Sequence, residues 1–280
     1  MNGMPSIPLL ACVVALALKS IYFLRYYVLV RIQAECIPMP ILIEELLAHI
    51  FGSQTHALTA QFGVWVVSSA RFRAFAEQYR DKIRKKVRGT RDPEGLKDLT
   101  FELEIAYLLL SERRFVVEYE KGGVGKLRGP DFCVTFRTNK AFNVEVKRLR
   151  ASAIGHADEP PEYSRIASTV CQKIGQLPAG MINILAISSD SERYHASDVA
   201  AAMDGLRTRA ERKDDPFFTR RGFLGAGDFL KQFQRLSAVL FHTHLAPGDE
   251  PAGVLWLNAI ARQRLPNDLR NALQRLGQDE

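Results

Sequence analysis

The chain has 280 residues, 47% hydrophobic and 25% charged, a balance that supports a sizeable folded core and excludes general disorder. Its formal net charge of +7 favours a polyanionic partner through counterion release, and it equally fits an ordinary solvated surface. Cys12, Cys36, Cys133 and Cys171 fall in no C-x-x-C spacing. That pattern indicates neither a zinc cluster nor a disulfide framework, and points to reduced thiols in a cytoplasmic compartment.

Residues 1–40 form an apolar leader. Ile7 to Leu18 is one apolar run, and Ile21 to Val30 is a second, interrupted by Arg25. Together they approach the length of a membrane span, with Lys19 and Arg25 inside it at a cost of a few kcal/mol each unless they snorkel. Met1 to Ser6 carries no basic residue, which argues against a cleavable signal peptide. As an anchor, the segment would leave the rest of the chain in the cytoplasm, because Lys19, Arg25 and Arg31 lie on its C-terminal side. Alternatively the leader precedes the biological start, with Met4 or Met39 as initiator. Pro38 and Pro40 mark a boundary in either case.

Residues 41–95 read as a helical region. Ile41 to Leu47 opens it, an apolar segment follows around Val64 to Val67, and Phe72, Phe75, Tyr79 and Ile83 recur at spacings of three and four. The last helix carries a basic face, with Arg71, Arg73, Arg80, Lys82, Arg84, Lys85, Lys86 and Arg88 opposed only by Glu77 and Asp81. Such a face suits a phosphate backbone, or is simply a solvated helix side. Gly89 to Gly95 reads as a linker.

Leu96 to Arg113 returns to helix, with Phe101, Ile105, Leu108 and Leu109 apolar and with acids at Glu102 and Glu104. Residues two apart on a helix lie about 200° apart, so only one of these acids can face a neighbouring sheet. Phe115 to Tyr119 is the first strand. Gly122 to Lys126 has glycines and a lysine but lacks the spacing and hydroxyl residue of a phosphate loop, so it reads as a flexible turn.

Two strands follow. Phe132, Val134 and Phe136 alternate with Asp131, Cys133 and Thr135, and Phe142, Val144 and Val146 alternate with Asn143, Glu145 and Lys147. Arg137 to Lys140 has turn chemistry, which makes the pair a hairpin. With both apolar faces in one core, Asp131, Glu145 and Lys147 emerge together on the other side. Two carboxylates on adjacent strands supply the hard oxygen ligands that Mg²⁺ prefers, the Val146 carbonyl is a further ligand, and the lysine stands where it can steady a developing negative charge.

Pro130-Asp131 followed by Glu145-Val146-Lys147 resembles the PD-(D/E)xK motif of restriction-endonuclease-like nucleases. The resemblance is concentrated in Phe101 to Lys147. It implies an α/β fold with a mixed sheet flanked by helices, occupying residues 96–280, and hydrolysis of phosphodiester bonds in nucleic acid, DNA ahead of RNA. It also implies Mg²⁺, with Mn²⁺ as a substitute, held by Asp131, Glu145 and an acid of the first helix. Phe101 to Ala106 is similar to that helix, and Glu102, four residues before Ala106, is the preferred acid over Glu104. Lys147 then orients or activates water. A homodimer is compatible with the motif. The competing class is a catalytically inactive module of the same fold that binds nucleic acid or a protein.

Glu162 to Leu177 reads as a helix and Ile182 to Ile187 as a buried strand, so strand, crossover helix and strand predict parallel pairing beside Lys147. Lys173 and Gln176 are spaced as helper residues are in related nucleases, or are plain surface groups. Helices are expected at Ser197 to Arg212, Gly225 to Leu236 and Asn267 to Leu276, with strands at Ala238 to His242 and Gly253 to Leu257. Arg220 and Arg221 lie in the loop between the first two of these helices. His242 and His244 read as edge-strand residues, since no third metal ligand lies near them. No Ser or Cys has the Gly-x-Ser-x-Gly setting of a nucleophile.

Overall fold

A computed structural model describes residues 39–52, 56–120, 129–150, 162–189, 196–243 and 253–276. The apolar leader at 7–30, the glycine turn at 122–126 and His244 lie outside the described residues. No helix among the described residues is long and apolar enough to cross a membrane.

The helices ahead of the sheet are α1 (Met39–Phe51), α2 (Thr59–Ser68), α3 (Ala70–Gln78), α4 (Arg80–Gly89) and α5 (Pro93–Ser111). The basic helix expected over 71–88 is two helices that break at Tyr79. Ser69 separates α2 from α3, its side-chain oxygen accepting from the Phe72 amide as an N-cap. The linker expected at 89–95 is shorter than its composition suggests. Asp92 accepts from the Gly95 amide at 2.7 Å, Pro93 takes the first helical position where its missing N–H costs nothing, and α5 starts three residues before the predicted Leu96.

Among the described residues six strands follow in one mixed sheet whose spatial order matches their sequence order: β1 (Phe115–Tyr119), β2 (Phe132–Phe136), β3 (Lys140–Leu149), β4 (Ile182–Ser189), β5 (Ala238–Thr243) and β6 (Gly253–Leu257). β1, β2 and β3 form an antiparallel meander. The expected crossover then holds, since α6 (Glu162–Ile174) returns the chain so that β4 lies parallel to β3. A second crossover through α7 (Ala196–Glu211), the short α8 (Asp215–Thr219) and α9 (Ala226–Phe233) sets β5 parallel to β4, and β6 closes the sheet antiparallel. The last described helix is α10 (Asn267–Gln274).

Period-two alternation divides the strands between two cores. Phe132, Val134, Phe136, Phe142, Val144, Ile184, Ala186 and Leu240 face one layer, where α1 to α5 and α10 contribute residues from Leu46 to Leu276 to a continuous apolar cluster. Leu149, Leu185, Ile187, Val239 and Phe241 face the opposite layer of α6 to α9. β4 is buried on both sides, which explains its unbroken run Ile184-Leu185-Ala186-Ile187. The second core takes no residue from β1 or β2. On that side Val116 is exposed and Cys133 and Thr135 are half-buried. The hairpin therefore presents a face that the described second layer does not cover.

His242 departs from its predicted edge position. β5 is an interior strand, and His242 is buried toward the first layer, where its Nε2 lies 3.3 Å from Glu104 Oε1 and its ring stacks on Phe101. The sequence alone does not reveal that β6 pairs outside β5.

Candidate metal and phosphodiester site

The site grows from the register of the hairpin. Phe132 pairs with Val144 in the antiparallel ladder, so one step further along Asp131 stands opposite Glu145. Directly opposed side chains in such a pair have Cβ atoms about 5 Å apart. Glu145 leaves the sheet on the side opposite Val144, toward Lys173 of α6, and Asp131 stands at the bend just before β2. Beyond the last paired position of β2, the Val146 N–H donates at 2.8 Å to Asp131 Oδ2, which ties the aspartate to the backbone between Glu145 and Lys147. Lys147 is half-buried and lies on the Glu145 side of β3, one pleat along, about 7 Å away in Cα position.

Glu145 is buried, and Lys173 of α6 donates from Nζ to its Oε1 at 2.5 Å. Lys173 is thus a member of the site rather than a plain surface group. Gln176, by contrast, lies exposed beyond the end of α6.

Glu102 sits on α5, which packs on the first layer, and reaches the same end of the sheet. It is ion-paired with Lys86 of α4, whose ammonium also contacts Glu120 at 2.7 Å and lies 4.8 Å over the Tyr119 ring. Burial pushes the Glu102 carboxyl above its usual range, the nearby Asp131 charge adds to that rise, and Lys86 only partly offsets it. Burial would depress Lys86, yet Glu102 and Glu120 outweigh it and hold the ammonium above its ordinary value. The buried Tyr119 hydroxyl lies beside Glu102 without closing a hydrogen bond, and burial together with these acids raises it far above a free phenol.

Of the two helix acids, then, Glu102 feels Asp131 and Glu104 lies by His242. The hairpin register sets Asp131 opposite Glu145 with Lys147 two residues further along β3, and the Asp131 charge is felt at Glu102. Among the described residues no three His, Cys, Asp or Glu side chains converge as a metal-binding group. A pair of carboxylates with a strand carbonyl still fits Mg²⁺, which keeps most of its shell as water and uses one or two carboxylates. Lysine ammonium groups already rest on both Glu145 and Glu102, so each acid accepts a positive charge where it stands.

Three of the eight basic groups expected on one phosphate-gripping face are engaged inside the protein. Arg71 holds the carbonyls of Leu110, Glu112 and Phe115 at the end of α5, and Lys82 donates to the carbonyls of Tyr119 and Glu120. Lys86 is the third. The sequence offered no signal for the Lys86–Glu102 and Lys173–Glu145 pairs, which join residues on different elements. No family model, no curated protein and no solved structure matches this chain.

Proposed function

We propose that the chain is a metal-dependent nuclease of the PD-(D/E)xK, restriction-endonuclease-like kind, hydrolysing phosphodiester bonds of nucleic acid, with DNA as first substrate. The observation that carries this reading is the β2–β3 register, which sets Asp131 against Glu145 with Lys147 one pleat on. The order of elements around it also supports the reading: an acid-bearing helix first, then the hairpin, then a crossover helix to a parallel strand.

Asp131 and Glu145, with the Val146 carbonyl, would hold Mg²⁺ or Mn²⁺, and Glu102 assists from α5. An ion held there would supply a lowered pKa for water and positive charge against the phosphoryl oxygens. The remaining work falls to the chain itself. Lys147 orients the attacking water and balances the negative charge that builds on phosphorus as the water oxygen bonds to it and the bond to the leaving sugar oxygen breaks. The tie from Asp131 to the Val146 amide keeps both carboxylates in register during that step. Lys173 neutralises Glu145 until substrate and ion arrive. A cytoplasmic location accompanies this reading, from the unpaired spacing of the four cysteines.

The two ammonium–carboxylate pairs also favour a second reading, a nuclease-fold module that binds without cutting, because its acids are already neutralised from within. Incubating supercoiled and linear DNA with the full chain and Mg²⁺ separates the two. The nuclease reading expects cleavage by wild type, abolished by EDTA, by Asp131→Ala and by Lys147→Ala. Equal cutting by all three proteins, or none by any, refutes it.

A further inference from the structure

On the second layer, α6, α7 and α8 line an open cleft of about 770 Å³. Its wall carries three guanidinium groups, Arg209 from α7 and Arg220 and Arg221 just past α8, with Ser168 and Gln172 of α6 beside them. Phe217 organises the basic groups. The Arg221 Cζ lies 3.6 Å and the Arg209 Cζ 4.5 Å from its ring centroid, and Arg221 Nη1 donates to its carbonyl at 3.0 Å. Asp214 pairs with Arg209 at 2.8 Å. Among the described residues no carboxylate pairs with Arg220 or Arg221, and the Arg221 Nε–H is buried without a hydrogen-bond partner. Three cations against one acid leave two unneutralised positive charges. The Phe217 ring offsets part of the charge of both arginines that lie over it, and such stacking fixes the planar forks that match phosphate oxygens. Cys171, also on the wall, stays a neutral thiol because burial pushes it up to about 12, so it does not offset that charge.

We infer that this cleft is a phosphate-binding site that engages the sugar-phosphate backbone of a nucleic-acid strand through Arg209, Arg220 and Arg221. The inference rests on the nuclease reading for the nature of the strand. It joins that reading through α6, which sends Lys173 to Glu145 and, one residue earlier, Gln172 to the cleft. Two guanidinium groups that no carboxylate neutralises among the described residues, on the wall of a cleft with room for a phosphate, fit a multi-oxygen anion. The cleft gives the substrate strand a second point of attachment, and it contributes affinity without reading sequence.

The test is fluorescence anisotropy of fluorescein-labelled single-stranded and duplex oligonucleotides, with the full chain in EDTA so that nothing is cut, between 50 and 200 mM salt. Arg220→Ala, at an exposed position, is expected to lower the slope of log K against log salt by about 1, and Arg209→Ala with Arg220→Ala by about 2. Arg221→Lys keeps the charge but loses the fork, so affinity falls while the slope stays. Lys97→Ala, on the opposite layer, controls for a general loss of surface charge. Unchanged slopes in both arginine variants overturn the inference. So does binding confined to free phosphate, seen as Arg220-dependent heats with inorganic phosphate or a nucleoside monophosphate while oligonucleotide affinity does not depend on Arg220. Because binding is read without hydrolysis, an arginine-dependent slope in a protein that never cuts leaves the cleft standing and removes the nuclease reading. Asp131-dependent cutting with unchanged slopes does the reverse.

Discussion

Replacing Lys173 by methionine removes the ammonium from Glu145 while preserving most of the side-chain volume. The Glu145 side chain is 10% exposed and that of Lys173 19%, so the variant leaves a nearly buried carboxylate without its cation. Deleting one partner of a buried pair costs about 3–5 kcal/mol, and an unsatisfied buried group about 1–3. Water can reach the lysine end, so the lower range applies and the loss is about 2 kcal/mol. For a chain of this size each kcal/mol moves Tm by about 2–4 °C, which gives a drop of about 4–8 °C in EDTA. Adding Mg²⁺ supplies another cation for the same carboxylate. At tenfold excess over its dissociation constant the ion returns about 1.4 kcal/mol, or about 3–6 °C. Differential scanning fluorimetry with a Mg²⁺ titration reads both numbers. The wild type should show a smaller Mg²⁺ shift than Lys173→Met, because there the ion must displace an ammonium, and Asp131→Ala should show the smallest. A Lys173→Met protein within 1 °C of wild type in EDTA removes the ion pair from the account. Equal Mg²⁺ shifts in all three proteins remove the divalent ion.

Two further outcomes test the frame around the site. Arg148, with a side chain 2% exposed, clamps the start of α5 to β3 through Glu94 at 2.5 Å and Asp98 at 2.9 Å. Its acids are better hydrated than it is, so Arg148→Met should cost about 2 kcal/mol, and the Glu94→Ala, Asp98→Ala double variant more, since it takes both acids from a buried guanidinium. Urea unfolding with the reverse order contradicts that clamp. At the end of α5, Arg114 hydrogen-bonds Glu112 and holds its carboxyl at about 2 against an ordinary 4.5. Because the folded value is depressed, the pair's stabilisation is complete above about pH 4.5 and is lost as pH falls toward 2. Glu112→Gln should flatten the stability profile of the wild type in that window, and identical profiles count against the pair.

The hairpin was legible in the sequence because alternation is a local property. Phe132, Val134, Phe136 and Phe142, Val144, Val146 choose one side of a sheet whatever else the chain does, and that choice sends Glu145 and Lys147 to the other, with Asp131 set opposite Glu145 by register. The parallel β3–β4 pairing was legible too, since a strand, a helix and a strand connect in one way. Composition misled where a few residues carry opposite meanings. Pro93 and Gly95 look like a linker, yet an Asp92 cap turns them into the first turn of α5.

What only the tertiary structure decided is which charges meet. Lys86 and Glu102 are 16 positions apart, Glu145 and Lys173 are 28 apart, and His242 lies 138 positions from Glu104. No local periodicity encodes such partners, because they depend on which helix lies over which strand and how far each is rotated. The sequence by itself determined the faces of the strands and the parallel crossover, through side-chain period and chain connectivity. Packing decided that a run of basic residues ahead of the sheet partly serves the fold, and that three arginines late in the chain line a cleft. Burial and pairing of charge are properties of three-dimensional neighbours, and a linear pattern does not contain them.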